Sequence, residues 1–291
     1  MQKLLFTTLA LLASSFLFAQ ESNPDSWMHA DGTLEGFVVG SQYFTLVSDA
    51  NLREKSNTQS NVITKLAIAT PVEIISVSTD SLSLRGVKLP WVKVRTKTLP
   101  KQTGYLWGGF LALASIQTPN EEYTPNAGVQ YLTGVAAYDE KKHQLTVQVR
   151  AAQNGTELSK CEFVTSGDLS YYPSFDVLFE PFLKVKAVLS VNYYYPACGY
   201  PSGNNLLFWQ DNNQMVKVLE TSSVSDGGVF YDAEEFILPS QRGGIGDHIV
   251  VTHDHSEFEE KGEDMVRSKQ NFGIVVYKWN GVKLVKVKEL K

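Results

Sequence analysis

Ten short runs between residues 44 and 288 set the strongest limit on what this chain can become: FTLV, PVEIISV, WVKVR, LTVQV, KVKAVLSV, LLFW, MVKVL, HIVVTH, GIVVYKW and KLVKVK. Each is β-branched or aromatic, and most alternate apolar with polar residues. A period of two puts successive side chains on opposite faces of an extended chain, whereas an amphipathic helix needs apolar spacing of three and four. Turn formers such as Asp211-Asn212-Asn213, Gly227-Gly228 and Asn280-Gly281 separate the runs. Only FDVLFEPFLKV, residues 175–185, allows one helical turn, which Pro181 cuts short. The expected fold class is all-β.

The start of the chain carries a different signal. Lys3 precedes an apolar run of sixteen residues, Leu4 to Ala19, and polar residues follow at once. That run is shorter than the roughly 20 residues a spanning helix needs. It reads as a secretory signal peptide over residues 1–19, with a retained anchor as the alternative. No cysteine follows it, which argues against a lipid-modified terminus. A secreted or periplasmic protein of about 270 residues, with no transmembrane segment after signal removal, is therefore expected. Its formal charge of −5 argues against nucleic acid, whose phosphates call for clustered Lys and Arg. Cys161 and Cys198 are the two cysteines; in an exported protein either a disulfide or two separate thiols fits.

Residues 115–128, SIQTPNEEYTPNAG, interrupt the strand pattern with two prolines and two glutamates and read as an exposed linker. They divide an N-terminal segment, 20–41, and a unit at 42–114 from a larger all-β domain at 129–291. That domain is expected to be a β-meander, a sandwich or a propeller-like array. Three hairpin-like stretches in it end in Val-x-Val, and Val147, Val216 and Val285 lie 69 residues apart each time. Stacked repeats would give that spacing, and so would a chance run of hairpins.

Within 42–114, five or so short strands suggest a small, strongly curved barrel. Their order is Asn51-Leu52-Arg53, a polar loop, Val62 to Leu66, Val72 to Ile74, Trp91 to Val94, Gly104-Tyr105-Leu106 and a closing Leu111. That order resembles the bacterial SH3 (SH3b-like) domain family, over about a quarter of the chain. Ala69 stands where the family usually has a turn glycine, and Ser76 to Leu89 is a longer excursion than most members have. The resemblance implies a binding module for peptidoglycan or a peptide or protein of the cell envelope. Its groove would lie between the polar loop, Arg53 to Asn61, and the loop after Ile75. Trp107, Tyr105 and Trp91 are the aromatic candidates, with Arg53 at the wall. The opposing reading puts the aromatics in the core and leaves Arg53 to buttress the barrel with its aliphatic stem.

In the second half, three of the five histidines fall in DHIVVTHDHSEFEE, residues 247–260. On one strand, His253, His255, Glu257 and Glu259 share a face, a set able to ligate zinc or a similar ion. A solvated acid-rich turn is the plainer reading. Gly243-Gly244-Ile245-Gly246 lacks the lysine and helix of a phosphate loop. Ser222 to Gly228 offers hydroxyls near an acid without a nucleophile-elbow pattern. The leading expectation is an exported non-enzymatic binding protein that needs no cofactor. The alternative is a metal-dependent envelope hydrolase targeted by the SH3-like module.

Overall fold

The structure, a computed structural model, describes residues 27–28, 34–121, 124–166, 174–193, 199–261 and 264–290. The expected signal peptide, residues 1–19, and Cys198 lie outside the described residues. Among those residues the chain is all-β, as its periodicity requires, with one short 3-10 turn at Gly108–Phe110 and no α-helix. Among the described residues no helix is long and apolar enough to cross a membrane.

Two short strands, β1 (Trp27–Met28) and β2 (Leu34–Glu35), pair with each other. Six strands follow in one sheet: β3 (Gln42–Phe44), β4 (Ala50–Arg53), β5 (Val62–Leu66), β6 (Pro71–Leu84), β7 (Val87–Thr96) and β8 (Thr103–Trp107). Their spatial order is β3-β6-β7-β8-β4-β5. The sheet is curled, and its β3–β6 pairing runs on past Phe44 and Pro71: the Thr45 amide donates to the Thr70 carbonyl, and the Ala69 amide donates to the Thr45 carbonyl. Ala69 makes that corner with a φ of 59° in the left-handed region, where glycine is the usual choice.

The long excursion after Ile75 is not a loop. Residues up to Leu84 continue β6, and β7 begins at Val87, so the two strands form a ribbon that turns at Arg85-Gly86. Its tip docks on the second half, where the Tyr138 amide donates to the Arg85 carbonyl at 2.9 Å. A Cβ on Gly86 would lie 2.0 Å from the Tyr138 carbonyl oxygen, so only glycine permits this approach.

Four strands make the next sheet: β9 (Ala114–Gln117), β10 (Gln130–Asp139), β11 (Gln144–Gln153) and β12 (Thr156–Ser166). The segment expected as an exposed linker, 115–128, thus opens as a strand paired with β10. Its remainder is anchored too. Thr118 is buried and its hydroxyl serves the Asn126 and Val129 carbonyls, while Asn126 Nδ2 donates to the Lys186 carbonyl. At Thr118 and Asn126 the segment is thus tied to the folded sheets rather than left as a free tether.

Eight antiparallel strands in sequence order complete the fold: β13 (Ser174–Leu178), β14 (Val185–Tyr193), β15 (Ser202–Gln210), β16 (Met215–Asp226), β17 (Phe230–Ile237), β18 (His248–Lys261), β19 (Asp264–Trp279) and β20 (Leu284–Leu290). FDVL in 175–185 is therefore strand, not helix; its alternation places Phe175 and Val177 inward. β9 runs beside β13 and β12 beside β16, so the four-stranded sheet faces the β13–β16 half of the larger one. Tyr131 from the smaller sheet meets Phe175 and Trp209 edge to face at 6.3 and 5.9 Å.

Each of the three Val-x-Val stretches is a real hairpin: β10–β11, β15–β16 and β19–β20. They are not equivalent units. The last two share one sheet and the first lies in another, and Val147 is fully buried whereas Val285 is exposed. A propeller-like array is not formed, because the eight strands stay continuous instead of dividing into blades.

One hydrophobic cluster runs from Phe37 and Trp91 through Tyr131 and Val147 to Leu207 and Met215, joining all three larger sheets. A second gathers Val188, Leu206 and Phe208 with Ile249, Val251 and Trp279. β14 and β15 feed both clusters with alternate residues, so they are covered on both faces. That is why AVLSV and LLFW read as nearly continuous apolar runs. The larger sheet wraps back to give this second layer. Trp279 stacks edge-on against Phe208 at 5.0 Å and its Nε1 donates to the Leu183 carbonyl at 3.0 Å.

Candidate functional site

The second face of β13–β15 changes character along its strands. Leu178, Val188 and Phe208 stand opposite one another across the sheet and pack into the second core. One step on, Asp176 faces Ser190, and Ser190 faces Leu206. A further step brings Ser174, Asn192, Asn204 and Thr221 into one row across four strands. An apolar floor thus gives way to hydroxyl, carboxamide and carboxyl groups within two rows. Over these rows opens a cleft of about 380 Å³, closed on its far side by Glu234, Glu235, Phe236 and Gln241. Its size lies within the range of about 300–1,000 Å³ that small-ligand sites occupy.

The polar rows hold one another in place. Asn204 Nδ2 donates to Ser190 Oγ at 2.7 Å, and Asn192 Nδ2 donates to Ser174 Oγ at 3.0 Å. Burial pushes the Asp176 carboxyl above its usual range, and a hydrogen bond from Asn192 offsets part of that. Asn204 Oδ1 is buried and takes no hydrogen bond.

The loop 238–247 forms the rim. The buried Glu180 carboxylate accepts from the Ser240 amide at 3.0 Å and from the Ser240 hydroxyl. Gln241 Oε1 accepts from the Leu238 amide at 2.7 Å. The glycine-rich stretch at 243–246 serves this loop: a Cβ on Gly244 would lie 2.3 Å from the Leu238 carbonyl oxygen.

The aromatics expected at a groove of the first unit are placed otherwise. Trp91 is 3 % exposed and Trp107 is 7 % exposed, both within the large core. Trp107 Nε1 donates to the Leu82 carbonyl at 2.9 Å, because the β6–β7 ribbon lies across it. The expected groove is bridged as well, by a hydrogen bond from the Ser56 hydroxyl to Asp80 of that ribbon. Tyr105 is half-buried, with Lys93 Nζ over its ring at 5.9 Å. Arg53 donates to the Ser60 carbonyl at 2.6 Å and braces the polar loop. The structure does not bring these four together around an opening.

The histidine cluster is assembled, but as an imidazole–carboxylate ladder. The register puts Asp232 opposite His255, Glu234 opposite His253, and Lys269 opposite Glu257. His253 Nε2 lies 3.1 Å from Asp232 Oδ1 and His255 Nδ1 lies 3.0 Å from Asp232 Oδ2. His255 Nε2 reaches Glu257 Oε1 at 3.0 Å, and Lys269 Nζ reaches the same oxygen at 2.7 Å. Glu257 and then Asp232 hold the His255 pKa above the ordinary imidazole value. Among the described residues no group of three His, Cys, Asp or Glu side chains converges as metal ligands. Glu259 lies past the bulge at which β19 inserts Ser268, at the exposed end of β18. Cys161 is a half-buried free thiol whose pKa burial raises.

The cleft is what strand patterning alone did not single out. Its signal is present in the replacement of apolar residues by Ser190, Asn192 and Asn204 at the positions that continue Val188, Leu206 and Phe208. Comparisons with protein-family models, curated proteins and solved structures find no match to this chain.

Proposed function

We propose that the protein is an exported, non-enzymatic binding protein. An SH3-like barrel at 42–114 is joined to a larger β-domain, and a cell-wall component or peptide is held in the cleft over β13–β17. The observation that carries this reading is the cleft itself: hydroxyl and carboxamide rows preset by their own hydrogen bonds beside an apolar floor. Sites that bind small ligands combine an apolar wall with a few fixed polar groups in this way. The barrel serves as a docked support, since its aromatics lie in the shared core and its groove is bridged. The hydrolase alternative is the weaker one, because His253 and His255 commit ring nitrogens to Asp232 and Glu257.

The test is co-sedimentation with purified peptidoglycan. Wild type is expected in the pellet, Ser223→Tyr, which fills the cleft, in the supernatant, and Tyr105→Ala in the pellet with wild type. Loss with Tyr105→Ala alone moves the site to the barrel. Wild type left in the supernatant, and equally unresponsive to stem peptides in titration calorimetry, overturns the reading.

A further inference from the structure

The chemistry of the cleft narrows what it can hold. Its lining offers hydroxyls from Ser190, Ser202, Thr221 and Ser223 and carboxamides from Asn192 and Asn204. Three carboxyl groups, Asp176, Glu234 and Glu235, stand at its wall, and no Lys or Arg is among its lining residues. A phosphate, sulfate or carboxylate ligand would therefore meet like charge with no counter-charge, which disfavours it. The polar groups are fixed by their own hydrogen bonds, Asn204 to Ser190 and Asn192 to Ser174, so they present donors and acceptors at set positions before any ligand arrives. Next to them, Leu178 and Phe236 supply an apolar strip.

We propose that the cleft binds an uncharged glycan unit, whose hydroxyls pair with the Ser190–Asn192–Asn204 rows and whose C–H face lies on Leu178 and Phe236. A sugar ring carries both surfaces at once: a rim of hydroxyls that donate and accept, and an apolar face of ring C–H groups. Carboxyl groups suit it, because a carboxylate accepts from two vicinal hydroxyls without needing a net charge on the ligand. Asn204 lines the cleft and its Nδ2 fixes the Ser190 hydroxyl at 2.7 Å, so the two present one preset polar edge to a ligand. An ammonium-bearing ligand is the competing chemistry that the same carboxyls would admit. It leaves unexplained why most of the polar lining is neutral and interlinked. This assignment rests on the reading of the cleft as the binding site, and names the ligand class for that site.

The experiment separates the two. The full-length mature protein is titrated by calorimetry with glycan strands stripped of stem peptides, with isolated stem peptides, and with uncharged tetrasaccharides of hexose and of N-acetylhexosamine. Binding of at least one uncharged tetrasaccharide is expected, and weaker binding of the stripped strands, whose freed lactyl carboxylates meet the cleft's own carboxyl groups. Asn204→Ala is expected to weaken it about tenfold or more, the effect of one buried hydrogen bond. Should Asn204→Ala fail to fold, Ser223→Tyr at the rim gives the same readout. Asp176→Asn keeps the shape but turns one acceptor oxygen into a donor, so it should weaken glycan binding by no more than about tenfold, the loss of one hydrogen bond. Binding of an ammonium-bearing probe, a glucosamine tetrasaccharide, with no binding of either uncharged tetrasaccharide identifies a cationic ligand and overturns the proposal. Binding of stem peptides alone, still abolished by Ser223→Tyr, also overturns it while leaving the cleft as the binding site. No binding by any probe, together with a failure to sediment with peptidoglycan, overturns both.

Discussion

Two long hairpin ribbons, β6–β7 and β18–β19, use the same alternating pattern and end in opposite surroundings. The first buries one side. Val87, Leu89 and Trp91 point into the shared core, and the tip at Arg85-Gly86 closes against Tyr138. The second buries its apolar residues near its base, at Ile249 to Val251 and Trp279, and its outer half is exposed at Met265, Val266 and Phe272. There the cross-strand contacts are polar: Glu257 with Lys269, Gln270 with Asp254, and Arg267 over the Phe258 ring at 5.8 Å. Strand alternation alone made both ribbons. What differs is whether another element lies within reach to cover one face, and that decides whether apolar or charged pairs hold the strands together.

The largest effect should come from undocking the first ribbon. Gly86→Ala forces a Cβ into the 2.0 Å approach to the Tyr138 carbonyl at a φ of +79°. A loss of about 3 kcal/mol or more is expected in denaturant unfolding, at the upper end for single substitutions. Gly228→Ala, at the β16–β17 turn with a φ of +85° and nothing within 4 Å, is the matched control and should cost about 1 kcal/mol. Equal losses at the two sites would mean that the docked tip is not what ties the halves together.

Next in size is the contact that covers the expected groove. Trp107→Phe keeps most of the ring but removes the N–H donated to Leu82. Leaving that carbonyl without a partner should cost about 1–3 kcal/mol, read from the urea midpoint with an unchanged slope. If the variant gains no accessible surface by quenching and loses no stability, the ribbon does not seal this face.

The all-β class, most strand positions and the hairpins ending in Val147, Val216 and Val285 were legible because period-two alternation is local. What was not legible depends on contacts between residues far apart in the chain. Trp107 reads as a groove aromatic until the ribbon residue Leu82 is seen across it. Residues 115–117 read as linker because their partner strand begins only at Gln130. The histidine set was correctly placed on one face, yet its role turns on Asp232, which arrives from the neighbouring strand and ties the imidazoles to one another. The cleft required three strands in register, so no one of its segments stands out alone.

The smallest effect concerns the exposed ribbon, where charge does what core contact does in the other. Asp232 and Glu234 on β17, His253 and Glu257 on β18, and Lys269 on β19 are the charged and titratable groups around His255. The His255 pKa is raised above 6.5, by Glu257 first and Asp232 second, so its stabilising contribution is complete below 6.5 and fades as pH rises through the folded value. The Glu257 pKa is lowered below 4.5, by His255 first and Lys269 second, so its contribution is complete above 4.5 and fades as pH falls through the folded value. The ladder is therefore strongest between pH 4.5 and 6.5. Because these groups are exposed, the global melting point should scarcely change across that window. Amide exchange at residues 253–257 should instead be slowest within it and quicken on either side. Asp232→Asn should lower the His255 pKa, followed by proton NMR, and narrow the protected window from its alkaline end, whereas protection that is flat with pH would show that pairing of the backbone alone holds this ribbon.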